Sequence, residues 1–213
     1  MAERFPTRIC GVTLDLIALF DLFGVFVFAI SGALAAVRKD MDIFGVTMIA
    51  LFPAVGGGTL RDIILDVPVF WVVDTTPVWV TFAAAVISFF LSPLLESRLR
   101  VLIWADAFGL ALFAVLGAGK ALDATGSVLI AVMMGVATGV VGGMIRDVVC
   151  NDLPLVLRRE IYATAAFAGA GTFCLLRGLN VQEDISLWVS VAGAFAVRAA
   201  GILLGLSLPR PPR

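Results

Sequence analysis

The chain has 213 residues, 61% of them hydrophobic and only 15% charged, with a mean hydropathy of +1.08. A soluble domain is nearer half apolar and about one quarter charged, so this excess of apolar surface calls for lipid. The balance of 15 basic and 16 acidic residues gives no electrostatic case for nucleic acid, and the lack of histidine removes the commonest metal ligand and general base.

A membrane-spanning helix needs about 20 mostly apolar residues. Seven such segments are predicted, at about 14–37, 43–65, 77–95, 101–121, 127–150, 160–177 and 185–206. Arg4 and Arg8 before the first, with the small residues of 31–36 after it, resemble a signal peptide. That reading is rejected because the segment belongs to an internal repeat. The separators carry turn and charge signals, from Arg38-Lys39-Asp40 to Arg177 through Asp184, and none is long enough for a soluble domain. Trp71, Trp79, Trp104 and Trp188 fall near span ends, as interfacial anchors do. Pro209 and the prolines after it stop the last helix. Cys10, Cys150 and Cys174 are scattered and odd in number, which reads as small apolar filler rather than a metal site or disulfide framework.

Residues 21–62 align with 106–147 at a constant offset of 85, with 14 identities in 42 ungapped positions. They include Asp21/Asp106, Gly32/Gly117, Gly57/Gly142, Gly58/Gly143, Arg61/Arg146 and Asp62/Asp147. A one-residue insertion then aligns Asp66-Val67-Pro68 with Asp152-Leu153-Pro154. The expected fold is all-α, a single transmembrane domain over 1–213. Its first repeat covers about 14–95, its second about 101–177, and an extra helix about 185–206. A three-span unit has an odd count, so its second copy enters from the opposite side, as in many transport proteins. Lys and Arg set the orientation. Arg38, Lys39, Arg98, Arg100, Arg158, Arg159, Arg210 and Arg213 stand on one side against Arg4, Arg8, Lys120 and Arg177 on the other. This puts the C-terminus in the cytoplasm and the N-terminus outside.

The glycines and charges at membrane depth are the main functional signal. Gly56, Gly57 and Gly58, sharpened by Pro53, and Gly142 and Gly143 predict kinks or unwound points whose freed carbonyls line a wet path. Close helix packing is the competing reading. It is the one preferred for Gly24, Gly32, Ala33, Ala36, Gly109, Gly117 and Ala118. Asp21, Arg61 and Asp62 lie near one membrane face, and Asp106, Arg146 and Asp147 near the other. Each trio is net −1 and attracts a cation, or its Asp–Arg pair is an internal salt bridge that fixes packing. Lys120 is read as a snorkelling lysine or a gating charge, with Arg198 a weaker candidate of the same kind. Ser31 and Thr138 offer hydroxyls along the path. Arg158-Arg159 is ordinary positive-inside sequence that also suits anionic membrane lipid.

The doubled Gly-Gly-x-x-Arg-Asp, the Asp-x-Pro after it and the three-plus-three-plus-one arrangement resemble the prokaryotic trimeric intracellular cation (TRIC) channels. Members of the same sequence family are also described as glycine transporters. The resemblance implies a homotrimer in a prokaryotic inner membrane, with a hydrophilic pore inside each protomer between the first two helices of each repeat. It implies permeation by potassium, with sodium also passing, and gating around the second and fifth helices. It links Lys120 to voltage response. Val141 in place of the leading glycine and Thr138 in place of Pro53 make the two hinges unequal. Nothing resembles a filter of stacked carbonyl rings, so weak discrimination among monovalent cations is expected. The reading is a passive cation channel without catalysis or cofactor; the alternative is a secondary transporter of a small neutral amino acid such as glycine.

Overall fold

The computed structural model describes residues 13–95, 97–157 and 161–206, and side chains from residue 18 onward. Arg4, Arg8, Cys10, Arg158, Arg159, Arg210 and Arg213, the first residue of the sixth expected span and the terminal prolines lie outside the described residues. The helices are α1 (Thr13–Val37), α2 (Ile43–Ile64), α3 (Phe70–Val73), α4 (Thr76–Leu91), α5 (Arg98–Thr125), α6 (Val128–Val149), α7 (Ala163–Gly178) and α8 (Glu183–Leu204). The seven long ones match the seven expected spans. Among the described residues six spans are long and apolar enough to cross a membrane, α4 being one only when the 3-10 turn that follows it extends it to Leu94; α7, at 16 residues, falls short.

Local chemistry sets the boundaries. Asp42 caps α2 by accepting from the Gly45 amide, and Ser127 caps α6 by accepting from that of Ile130. Helix α5 overruns its expected end at 121 by a full turn. Only Gly126, at φ 64°, supplies the left-handed residue that stops it.

The offset of 85 persists in three dimensions. Helices α2 and α6 are each 22 residues long and start 85 positions apart. After each comes the same turn, with Asp66 and Asn151 both at φ 53°. The Val67 amide then donates to the Asp62 carbonyl, and the Asp152 amide to that of Asp147. The expected one-residue insertion is therefore corrected. Asp66 corresponds to Asn151, because either side chain tolerates a left-handed turn position, and the slack falls later, between this turn and α4 or α7.

The repeats cross through their own equivalents. Phe28 stacks on Phe113 at 5.3 Å and Phe23 meets Phe108 edge-on at 5.5 Å, which joins α1 to α5. Helix α2 crosses α6 at Gly57 and Gly142. A Cβ on Gly57 would collide with the Thr138 carbonyl, and one on Gly142 would lie 2.9 Å from the Pro53 carbonyl. Since 53 and 138 are repeat partners, these are one contact made twice about a pseudo-two-fold axis.

That crossing corrects the expectation of unwound points. Both helices continue as α-helix through Gly56, Gly57 and Gly58 and through Gly142 and Gly143. Glycine weakens a helix in water, but in lipid every freed backbone group lacks a partner and unwinding costs several kcal/mol per group. The missing side chains serve close approach instead. Packing also accounts for Gly32 against Ala50 and Pro53, Gly109 against Phe28 and Gly117 against Thr138.

Candidate functional site

Two Arg-Asp clusters lie at opposite ends of this crossing. In the first half Arg61 donates to Asp62 Oδ1 at 2.8 Å, and Lys120 Nζ reaches the same oxygen at 2.8 Å. In the second half Arg146 donates to Asp147 Oδ1 at 2.8 Å, to Asp106 Oδ1 at 2.7 Å and to Ser31 Oγ at 2.9 Å. One job is common to both: Asp62 Oδ2 accepts from the Phe70 amide, and Asp147 Oδ2 from the Leu155 amide, each eight residues on. Each aspartate thus pins the returning chain to its helix end. Neither acid faces solvent, since Asp62 is fully buried and Asp147 nearly so.

The expected pairing Asp106–Arg146 is present, but its repeat partner Asp21–Arg61 forms no ion pair. Arg61 turns to Asp62 instead, and Asp21 stands apart in a cavity of about 570 Å³. Lys120 lines the same cavity and is bonded to Asp62 rather than snorkelling to the interface. It brings the first cluster to neutrality, so the expected net −1 there is corrected. Further acid comes from the rim, where Asp123, Glu183 and Asp184 line the opening. Pro53, Gly58 and Thr138 form part of the wall, and the Gly57–Thr138 contact lies behind them.

The second cluster has no such space. Asp106, Arg146 and Ser31 are all fully buried. Three substitutions between equivalent positions account for the difference. Leu116 in the cavity corresponds to Ser31, which binds Arg146. Gly119 corresponds to Leu34, which is buried, and Lys120 corresponds to Ala35.

Sequence reasoning missed the rim acids, read only as loop signals, and Tyr162. The chain's single tyrosine immediately precedes α7 and belongs to no motif or repeat match in the sequence. It is buried, with its hydroxyl 3.0 Å from where a Cβ on Gly143 would sit. The Arg198 guanidinium packs over its ring at 4.9 Å and donates to the Ile161 carbonyl at 3.2 Å.

Inverted helical repeats meeting at glycines around a half-open, charge-lined cavity define a polytopic membrane protein of the transport class. The comparisons agree. The family model described as Glycine transporter matches residues 18–93 and 103–178, the two repeats in turn. The inner membrane protein YadS of Escherichia coli K12 is 48% identical over 195 residues, 89% of this chain and 93% of its own. A membrane protein of Vibrio cholerae is 42% identical over 201 residues, 92% of this chain and 82% of its own. The TRIC trimeric intracellular cation channel orthologue from Rhodobacter sphaeroides superposes with a TM-score of 0.87 at 44% identity, over 90% of this chain and all of that one. A second TRIC cation channel gives 0.83 at 34% identity, over 92% and 97%. The chain belongs to the prokaryotic TRIC family, which carries the glycine-transporter sequence signature.

Proposed function

We propose that the protein is a passive, potassium-permeable cation channel of a prokaryotic inner membrane, with one pathway inside each protomer and three protomers per assembly. Its N-terminus lies outside and its C-terminus in the cytoplasm. The observation that carries the reading is the acid-lined cavity bounded mainly by α1, α2, α5 and α8, with Pro53 and Thr138 in its wall. Asp21, Asp123, Glu183 and Asp184 outnumber Arg61 and Lys120 on its wall, so the mouth concentrates cations. Likeness to solved TRIC cation channels at 34–44% identity supports the same reading. Conduction needs separation at the α2–α6 crossing, and Gly57 and Gly142 are the positions about which the two helices pivot. Lys120, within the cavity and tied to Asp62, is the charge placed to respond to voltage.

One observation favours a second reading, a transporter of a small neutral amino acid. The cavity holds both signs, with Asp21 to meet an ammonium and Lys120 and Arg61 to meet a carboxylate. Reconstituted protein decides between them. Unitary currents with reversal potentials that follow the potassium gradient support the channel. Saturable glycine uptake without unitary current overturns it.

A further inference from the structure

We infer that Tyr162, held by Arg198, is the plug of a second vestibule mirroring the open one, and that α8 is the element that seats it. The inference rests on the channel reading. It begins from the pseudo-symmetry: the residues lining the open cavity have equivalents 85 positions away that should line a matching space at the other end. Phe28, Ser31, Leu34 and Ala35 stand there with Asp106 and Arg146, and all are buried. Leu34 fills volume that Gly119 leaves empty, and the Ser31–Arg146–Asp106 bonds draw α1, α6 and α5 together.

Tyr162 closes what is left. Its hydroxyl lies beside Gly143 and the Asp106–Arg146 pair, and its ring carries Arg198 on the other face. Tyr162 and Arg198 are nearly or fully excluded from solvent. Arg198 belongs to α8, which has no counterpart in the repeat. The opposite end of α8 contributes Glu183, Asp184 and Leu187 to the rim of the open cavity. One rigid helix therefore touches the mouth of one vestibule and the stopper of the other. A desolvated cation over a tyrosine ring is a seat of moderate strength, strong enough to bias a closed state yet weak enough to release. Tyr162 and Arg198 are positioning residues: they act on the Asp106–Arg146 cluster, not on the permeating ion.

The test reads access to the mirror vestibule independently of current. In a background without Cys10, Cys150 and Cys174, Ala35→Cys places a thiol where Lys120 stands in the open half. A small cationic methanethiosulfonate is the probe. Tyr162→Ala is expected to raise the labelling rate and the open probability by about ten-fold, while Tyr162→Phe, which keeps the ring under Arg198, leaves both near the parent values. Arg198→Lys retains a cation and falls between. It also carries the test if Tyr162→Ala does not assemble. Equal labelling in Arg198→Leu, Tyr162→Ala and the parent, all with parental assembly, overturns the plug. Faster labelling in protein that passes no current in any variant upholds the plug and removes the channel reading instead.

Discussion

The two halves share the same Arg-Asp dipeptide at the same place on equivalent helices, yet Arg61 borders a cavity and Arg146 is dry. Both aspartates tie down the chain eight residues on, so the shared part of the motif is structural. The halves diverge in what surrounds the dipeptide. The first receives Lys120 and the small Gly119; the second receives Ser31, Leu34 and the Tyr162–Arg198 pair. A duplicated motif supplies the frame, and unduplicated neighbours decide which end is wet.

The largest expected effect tests that contrast directly. Arg146→Ala leaves Asp106 and Asp147 as buried unpaired carboxylates and should destabilise the protein by about 3–5 kcal/mol. Arg61→Ala, beside water and with Lys120 still on Asp62, should cost clearly less and alter conductance instead. Thermal unfolding of the two variants in detergent measures the difference, and equal losses would dissolve the distinction between the halves. Next comes the crossing. Gly57→Ala drives a methyl into the Thr138 carbonyl and should cost about 1–3 kcal/mol, with Gly57→Leu abolishing current. Gly56→Ala meets nothing closer than 3.7 Å and should stay within about 0.5 kcal/mol of the parent. Equal behaviour of the adjacent glycines would break the assignment of Gly57 to close approach.

Smaller effects refine the electrostatics. Lys120→Gln removes a positive charge from the open vestibule and should raise cation conductance by about two-fold at 0.1 M salt. The gain should fade toward 1 M as screening shortens to about 3 Å. Single-channel recording across that salt series checks it. Lys39→Ala loses the partly exposed 2.8 Å pair with Asp152 that joins the α1–α2 loop to the end of α6. It should cost no more than about 1 kcal/mol in the same unfolding assay.

Much of this was legible in the residues. Spans, repeat and inversion follow from apolar length and the fixed offset, and the Asp106–Arg146 contact follows from depth. What the sequence hid has physical causes. Adjacent glycines carry the same letters whether a helix unwinds or presses against another, and only Thr138 and Pro53 on the facing helices separate the two. Asp62 and Asp147 are pinned alike, yet only Arg146 also reaches its Asp106; around Arg61 stand Lys120 and Leu116 in place of Ala35 and Ser31, tertiary neighbours that no spacing rule announces. Tyr162 and Arg198, 36 positions apart in sequence, meet only through tertiary packing.

The bonds from Asp62 to the Phe70 amide and from Asp147 to the Leu155 amide have a mechanical consequence. Each stiffens a helix end and its hairpin into a single beam, so neither α2 nor α6 can lengthen, fray or slide on its own. Motion between the halves is left with one cheap degree of freedom, a scissor-like swing about a fulcrum where Gly57 meets Thr138 and Gly142 meets Pro53. A ligand that wedged the blades apart would act on both faces of the membrane at once.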